Sequence, residues 1–177
     1  MMTPRRAVIF AAVLVLVVGL DQGSKAWART LPVSPPGCAV PADLIAHRCA
    51  GVPQPVIDGY WDWELAFNTG AAFSSLRGAQ LLLGLLAGGA LILLVVMARR
   101  TAPEQRLRRI ALAMIAGGAL GNLIDRLRDG AVTDFVRWRV GEARWPIFNV
   151  ADAALLIGVV LLLAESVVHR RAAAAAA

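Results

Sequence analysis

An unbroken run of 21 uncharged residues, Gly78 to Ala98, lies between Arg77 and Arg99, with Gln80 as its one strongly polar side chain. About 20 consecutive apolar residues cross the hydrocarbon core of a bilayer as a helix. This run therefore predicts a membrane span and limits the fold more than any other feature. Composition agrees: of 177 residues, 58% are apolar and 17% charged, with a mean hydropathy of +0.64. Soluble domains sit near ~45–50% apolar and ~25% charged. The balance excludes a soluble enzyme, a disordered chain and a disulfide-dense secreted miniprotein. A formal charge of +6 and a pI near 10.9 do not argue for nucleic acid, because no basic stripe with interleaved aromatics occurs outside the clusters that flank apolar blocks.

Three further blocks are apolar but short if stopped at the first charge: Ala7–Leu20 before Asp21, Ile110–Ile124 before Asp125, and Ala153–Ala164 between Asp152 and Glu165. Each reaches spanning length only by including its acidic residue. The expected fold is thus an all-α membrane protein, a single domain over 1–177, with four transmembrane helices near 7–27, 78–98, 108–126 and 147–168. Outer segments fall at 28–77 and 127–146. Lysine and arginine counts leave the orientation tied at nine per side. The five arginines in the short 99–109 link, and Arg5 and Arg6 ahead of the first span, place the termini in the cytoplasm. All five tryptophans and Tyr60 then fall outside, as an interfacial belt. A second reading of the N-terminus is a cleavable secretory signal ending near Ala26-Trp27-Ala28; the polar run Asp21, Gln22, Ser24, Lys25 argues against it.

The outer segments carry a different pattern. Residues 30–56 hold six of the nine prolines and both cysteines, an irregular loop in which Cys38 and Cys49 form a disulfide in an oxidising compartment or remain two thiols. From Val56 to Phe67 the residues alternate, with Ile57, Trp61, Trp63, Leu65 and Phe67 on one face and Asp58, Tyr60, Asp62 and Glu64 on the other. Val132–Val140 alternates likewise, Asp134 sharing a face with Val132, Val136 and Trp138, and Gly141-Glu142 offers a turn. A small extracytoplasmic β-sheet cradle capping the helices is expected.

Ionisable residues inside a membrane are expensive and mark candidate sites until a partner explains them. Asp21 and Lys25, four apart on one helix face, satisfy each other as an ion pair. Asn122 and Asp125 follow Gly117-x-x-x-Gly121, a spacing that lets another helix approach closely, with Arg126 as a counter-ion. Asn149 and Asp152 repeat the three-residue spacing at the start of the last span, where Asp152 could equally be a first-turn acid. Asp125, Asp134 and Asp152 all map to one outer boundary. Two carboxyls brought together at low dielectric share a proton, and such a pair can activate water and protonate a scissile amide. No cluster has metal-ligand spacing, His47 and His169 lie on opposite sides, and Ser24, Ser74 and Ser75 have no histidine nearby, although Lys25 leaves a serine–lysine pair open. No cofactor is expected. The residues alone do not choose between Asp125 and Asp134.

Five motifs in order, D-Q-G-S-K at 21–25, N-T-G-A-A-F at 68–73, G-G-A-L-G-N-L-I-D-R at 117–126, V-T-D-F at 132–135 and F-N-V-A-D at 148–152, make the sequence resemble the lipoprotein signal peptidase family, or signal peptidase II, bacterial membrane aspartic peptidases. The resemblance implies Asp134 and Asp152 as the catalytic pair. It makes Asn68, Gly70, Asn122, Asp125, Arg126 and Asn149 residues that orient the pair or the substrate, and Asp21 and Lys25 structural or substrate-proximal. It implies a multi-pass protein of the bacterial cell membrane with its active site on the extracytoplasmic face. The substrates it implies are diacylglyceryl-modified prolipoproteins cut before the lipidated cysteine, with membrane lipids and a globomycin-type inhibitor as further partners. The Pro-rich stretch with Cys38 and Cys49 is longer than is typical of the family. The competing functional classes are a small proton-coupled transporter, which would keep its acids near the bilayer midplane, and a structural membrane protein, in which each carboxylate is neutralised by a helix terminus or an arginine.

Overall fold

The computed structural model describes residues 4–70 and 79–175. Helix α1 (Pro4–Ala28) leads into the Pro-rich segment, which holds β1 (Val33–Ser34), the single turn α2 (Ala42–Ile45) and β2 (Ala50–Gly51). Strands β3 (Gln54–Ile57) and β4 (Trp61–Asn68) precede α3 (Ala79–Arg100) and α4 (Arg106–Asp129). Strands β5 (Val132–Val140) and β6 (Ala143–Arg144) follow, and α5 (Val150–Ala175) closes the chain. Strands β3-β4-β5-β6 form one antiparallel sheet and β1-β2 a separate pair. The molecule is therefore mixed α and β, and the all-α expectation is corrected: the two alternating stretches supply two faces and pair over much of their length, giving a structural layer of their own.

Among the described residues, three helical segments are long and apolar enough to cross a membrane: Ala7–Ala28, Arg106–Asp129 and Val150–Val168. Together with the antiparallel sheet they define a membrane protein. The expected span over 78–98 corresponds to α3, with Gly78 outside the described residues. Apolar side chains such as Val15, Leu85, Ile92, Leu156 and Leu163 stay about 60% exposed or more, a surface suited to acyl chains and costly in water.

Helix α4 is the hub, packing against α1, α3 and α5. Its glycines make close approach possible. A Cβ at Gly117 would lie 2.8 Å from Val17 of α1, one at Gly121 would run into the Asp21 carboxylate, and one at Gly118 would run into the Ala151 carbonyl of α5. The helix ends at Gly130, whose φ of 72° is left-handed and whose N–H returns to the Arg126 carbonyl at 3.0 Å, a glycine C-cap. This stop turns the chain straight into β5.

Between the sheet and the Pro-rich segment, Leu44 of α2, Leu65, Phe67, Phe135 and Val136 pack with Ala28 at the end of α1 into a hydrophobic core. Cys38 and Cys49 are disulfide-bonded there, with Cα atoms 6.4 Å apart. A register shift between Trp63 and Ala66 sets Ala66 opposite Asp134. On the face expected to be polar, Asp62 is buried rather than solvated: Arg139 covers it, with Nη2 3.1 Å from Oδ1 and Nε 3.0 Å from Oδ2. The expected tryptophan belt is divided. Trp27, Trp138 and Trp145 are exposed, while Trp61 and Trp63 are half-buried and stack edge-on, with Trp27 and Phe135 packed against Trp63.

The glycine contacts yield a test. Gly118→Ala should lower the thermal midpoint by several degrees, in line with about 1–3 kcal/mol for overpacking. Gly89→Ala, with nothing within 4 Å of its Cβ position, should change it by no more than about 2 °C. Equal midpoints for the two variants would show that the α4–α5 contact does not constrain the fold.

Candidate functional site

The end of α4, the start of β5 and the first turn of α5 meet where α1 passes beside them, and the polar residues of all four elements face one another. Asn149 is the N-cap of α5, and its exchange with Asp152 is reciprocal. The Asn149 side-chain oxygen accepts the Asp152 N–H at 2.9 Å, and Asp152 Oδ2 accepts the Asn149 N–H at 3.2 Å. This is the logic of a capping box, so the Asn-x-x-Asp spacing caps the helix and aims a carboxyl at the same time.

The other end of Asn149 faces β5. Its Nδ2 lies 2.6 Å from Asp134 Oδ1, 3.1 Å from Asn122 Oδ1 and 3.3 Å from the Thr133 carbonyl. Asn122 in turn donates from Nδ2 to Asp152 Oδ1 at 2.8 Å. Asp134 and Asp152, remote in sequence, are thereby joined through two carboxamides. Asp134 is 3% exposed and Asn149 fully buried, while Asp152 is partly exposed. Asn68 is near enough to favour the charged form of Asp134, and its Oδ1 accepts the Gly70 N–H at 2.9 Å. Gly70, at φ 71°, adopts a backbone that favours glycine.

Burial, reinforced by the neighbouring charge of Asp152, pushes the Asp134 carboxyl up to about 7; the bond from Asn149, the nearby Asn68 and the more distant Lys25 charge pull the other way without prevailing. Loss of hydration penalises the charged form. The Asp134 proton therefore exchanges near neutral pH.

Behind this pair lies a second buried layer. Lys25 Nζ is 2.9 Å from Asp21, 3.3 Å from Asp125 and 2.9 Å from Asn122 Oδ1. Arg126, expected to neutralise Asp125, reaches the Asn122 carbonyl at 3.4 Å instead, and the cations on Asp125 are Lys25 and Arg128. One turn of helix separates Arg126 from Asn122, whereas the i, i+3 position places Arg128 over the acid. Sequence reasoning missed four contributors. Gln22 bridges Asp21 and Asp125. Thr133 gives its N–H to Asp125 and receives Arg29 on its hydroxyl. Arg29 also pairs with Asp129 and lies over the Phe67 ring, and Arg128 is the fourth. Gln22 and Thr133 stand inside the D-Q-G-S-K and V-T-D-F motifs, which was the available signal; nothing in the sequence ties Arg29 to Thr133.

Beside Asp152 opens a cleft of about 410 Å³ lined by Trp138, Trp145, Phe148, Leu156 and Ile157, apolar walls leading to one carboxyl. Among the described residues no group of three His, Cys, Asp or Glu is arranged to hold a metal ion.

Fold and site together define a membrane protein built around an aspartate pair with an apolar cleft, the equipment of a membrane-bound hydrolase. Comparison with known proteins agrees and goes further. The family model described as Signal peptidase (SPase) II matches residues 13–168, and the chain belongs to that family. A lipoprotein signal peptidase of Xanthomonas euvesicatoria pv. vesicatoria (strain 85-10) is 43% identical over 158 residues, covering 87% of this chain and 83% of the relative. One from Xylella fastidiosa (strain M12) is 37% identical over 163 residues, covering 89% and 87%. A solved structure described as a bacterial membrane enzyme, at 1.9 Å resolution, superposes with a TM-score of 0.70 at 29% identity, covering 87% of this chain and 89% of its own.

The raised Asp134 value carries a stability consequence. The folded carboxyl binds its proton more tightly than the unfolded one, whose value is near the ordinary 3.8. The native state is thus favoured below that range and loses stability as pH rises from there through about 7. Asp134→Asn keeps the shape and removes the titration. It should raise the thermal midpoint most at pH 8, by several degrees or more (a shift of about 2–4 °C per kcal/mol), less at pH 5, and have little effect only at or below the ordinary value of 3.8. A lower midpoint at pH 8 would contradict the buried-acid assignment.

Proposed function

We propose that this protein is a multi-pass membrane aspartic endopeptidase. In this reading it removes signal peptides from diacylglyceryl-modified prolipoproteins by cutting before the lipidated cysteine, with Asp134 and Asp152 as the catalytic residues. The single observation that carries the reading is the buried bridge from Asp134 through Asn149 and Asn122 to Asp152, with the Asp134 proton labile near neutrality.

The steps follow from the geometry. Asp152, the more accessible carboxylate, takes a proton from a water molecule as its oxygen attacks the scissile carbonyl carbon. Asp134 gives its proton to the carbonyl oxygen, so no charged tetrahedral oxyanion accumulates. As the C–N bond breaks, the leaving nitrogen takes the proton held by Asp152, and a hydroxyl of the tetrahedral carbon returns one to Asp134. The carboxamides hold both acids in place and supply no protons. Asn68, Gly70 and Asn149 lie on the Asp134 side, suited to aligning a substrate backbone. The apolar cleft beside Asp152 suits hydrocarbon, placing the cut bond at the level of the lipid headgroups.

The same reading extends to topology. With α3 as a fourth crossing in one domain, both termini face the cytoplasm and the sheet and disulfide loop lie outside. The arginines of the 99–109 link support this orientation, as does a disulfide at Cys38–Cys49.

Cleavage of a diacylglyceryl-modified prolipoprotein in detergent tests the assignment. Asp134→Asn and Asp152→Asn should each cut kcat by at least about a thousandfold, the scale on which removal of a catalytic group acts. Wild-type kcat/KM should fall about tenfold per pH unit above about 7. A metal chelator should change nothing, and a globomycin-type cyclic peptide should compete. Turnover retained in either variant would move the assignment to Asp125.

A further inference from the structure

Lys25 occupies a position that its pairing with Asp21 does not explain. Its ammonium is 1% exposed and touches three groups: Asp21, Asp125 and the Asn122 carboxamide oxygen. Each of these holds a part of the site. Asp21 Oδ1 accepts the N–H of Ala151 at 3.0 Å, the residue before Asp152. Asp125 Oδ2 accepts the N–H of Thr133 at 2.9 Å, the residue before Asp134. Asn122 donates to Asp152 Oδ1.

The third contact also settles a choice of orientation. A carboxamide can turn over and exchange its oxygen for its NH2. An ammonium only donates, so the Asn122 group beside Lys25 must be the oxygen, and the NH2 must face Asp152. The Asn149 Nδ2 donates to the same oxygen at 3.1 Å, so the cation and that carboxamide together keep the Asn122 NH2 turned to Asp152.

We propose that Lys25 is a positioning residue for the reaction: one ammonium, through Asp21, Asp125 and Asn122, fixes the backbone on which each catalytic aspartate is mounted and the donor that aims Asp152. The inference rests on the Asp134–Asp152 reading above. It differs from a plain counter-ion role, in which Lys25 merely offsets the charge of two buried carboxylates.

Lys25→Gln separates the two, provided the charge imbalance it creates is also repaired. The single variant leaves two buried carboxylates with one contacting cation fewer and is expected to be less stable. The double variant Lys25→Gln/Asp21→Asn removes one charge of each sign, and Asn at 21 can still accept the Ala151 N–H. Positioning by Lys25 predicts a double variant with a near wild-type thermal midpoint, kcat lowered at least about a hundredfold and KM within about threefold, because the apolar cleft is untouched. A counter-ion role predicts recovery of kcat to within a few-fold of wild type, and that result would overturn the proposal. A matching fall in kcat/KM arising from KM alone would overturn it too. Should the double variant not fold, Asn122→Ala carries the test. It removes the oriented donor while leaving Lys25 paired to both acids, and it should show the same loss confined to kcat; unchanged kcat would overturn the proposal. Asp134→Asn and Asp152→Asn measured alongside keep the readings apart: if they turn over substrate, the aspartate pair itself is wrong, and if they are inactive while the Lys25 variants are active, only the role of Lys25 is.

Discussion

Four carboxyl groups, those of Asp21, Asp125, Asp134 and Asp152, converge where three helices long and apolar enough to cross a membrane meet a sheet, and burying charge in such a place is the constraint on which the rest of the structure depends. The chain divides them into two kinds. Asp21 and Asp125 touch the Lys25 ammonium, with Gln22 and Arg128 completing their shells. Asp134 and Asp152 touch carboxamides and backbone N–H groups, with no contacting cation among the described residues. The inner pair rests against a cation, whereas the outer pair is held by neutral donors alone.

That division depends on backbone geometry that only α4 supplies. Small residues at 117, 118 and 121 bring α1 and α5 against it closely enough for Asp21 to reach the first turn of α5. The left-handed stop at Gly130 brings β5 back beside the same helix, so that Thr133 meets Asp125 four residues after the helix ends. Larger side chains on that face would separate elements whose polar groups must meet at about 3 Å. Helix packing and site geometry are one property here.

Much of this was legible in the sequence, for physical reasons. A period of two in 132–140 and 61–67 marked strands, and the i, i+3 and i, i+4 spacings of Asn149–Asp152 and Asp21–Lys25 marked groups on one helix face. The illegible part lies in contacts that no local spacing encodes. Asp62 reads as a solvent-facing acid until Arg139 of another strand covers it. Arg126 reads as the counter-ion of Asp125, yet Arg128 and a lysine a hundred positions away take that role. From residues alone Asp125 and Asp134 were equivalent candidates. Only the packing shows that one rests against an ammonium and the other is turned away from it. The all-α expectation failed because strands of eight and nine residues weigh little in composition beside long apolar helices, although they carry half of the site.

The burial of Asp134 also bears on why the site stands where the helices meet the sheet. Deeper among the helices, a carboxyl of this kind would hold its proton too firmly to exchange it, and out on the sheet it would release the proton below neutral pH and have nothing to give. Its place on β5, under Asn149 and beside a partly exposed Asp152, gives a value near 7, close to where a group can serve both as donor and as acceptor. Keeping an acid there works against the stability of the folded chain at neutral pH. An amide at the same position would fit the same hydrogen bonds without that cost, so the retention of an acid is better explained by chemistry than by folding.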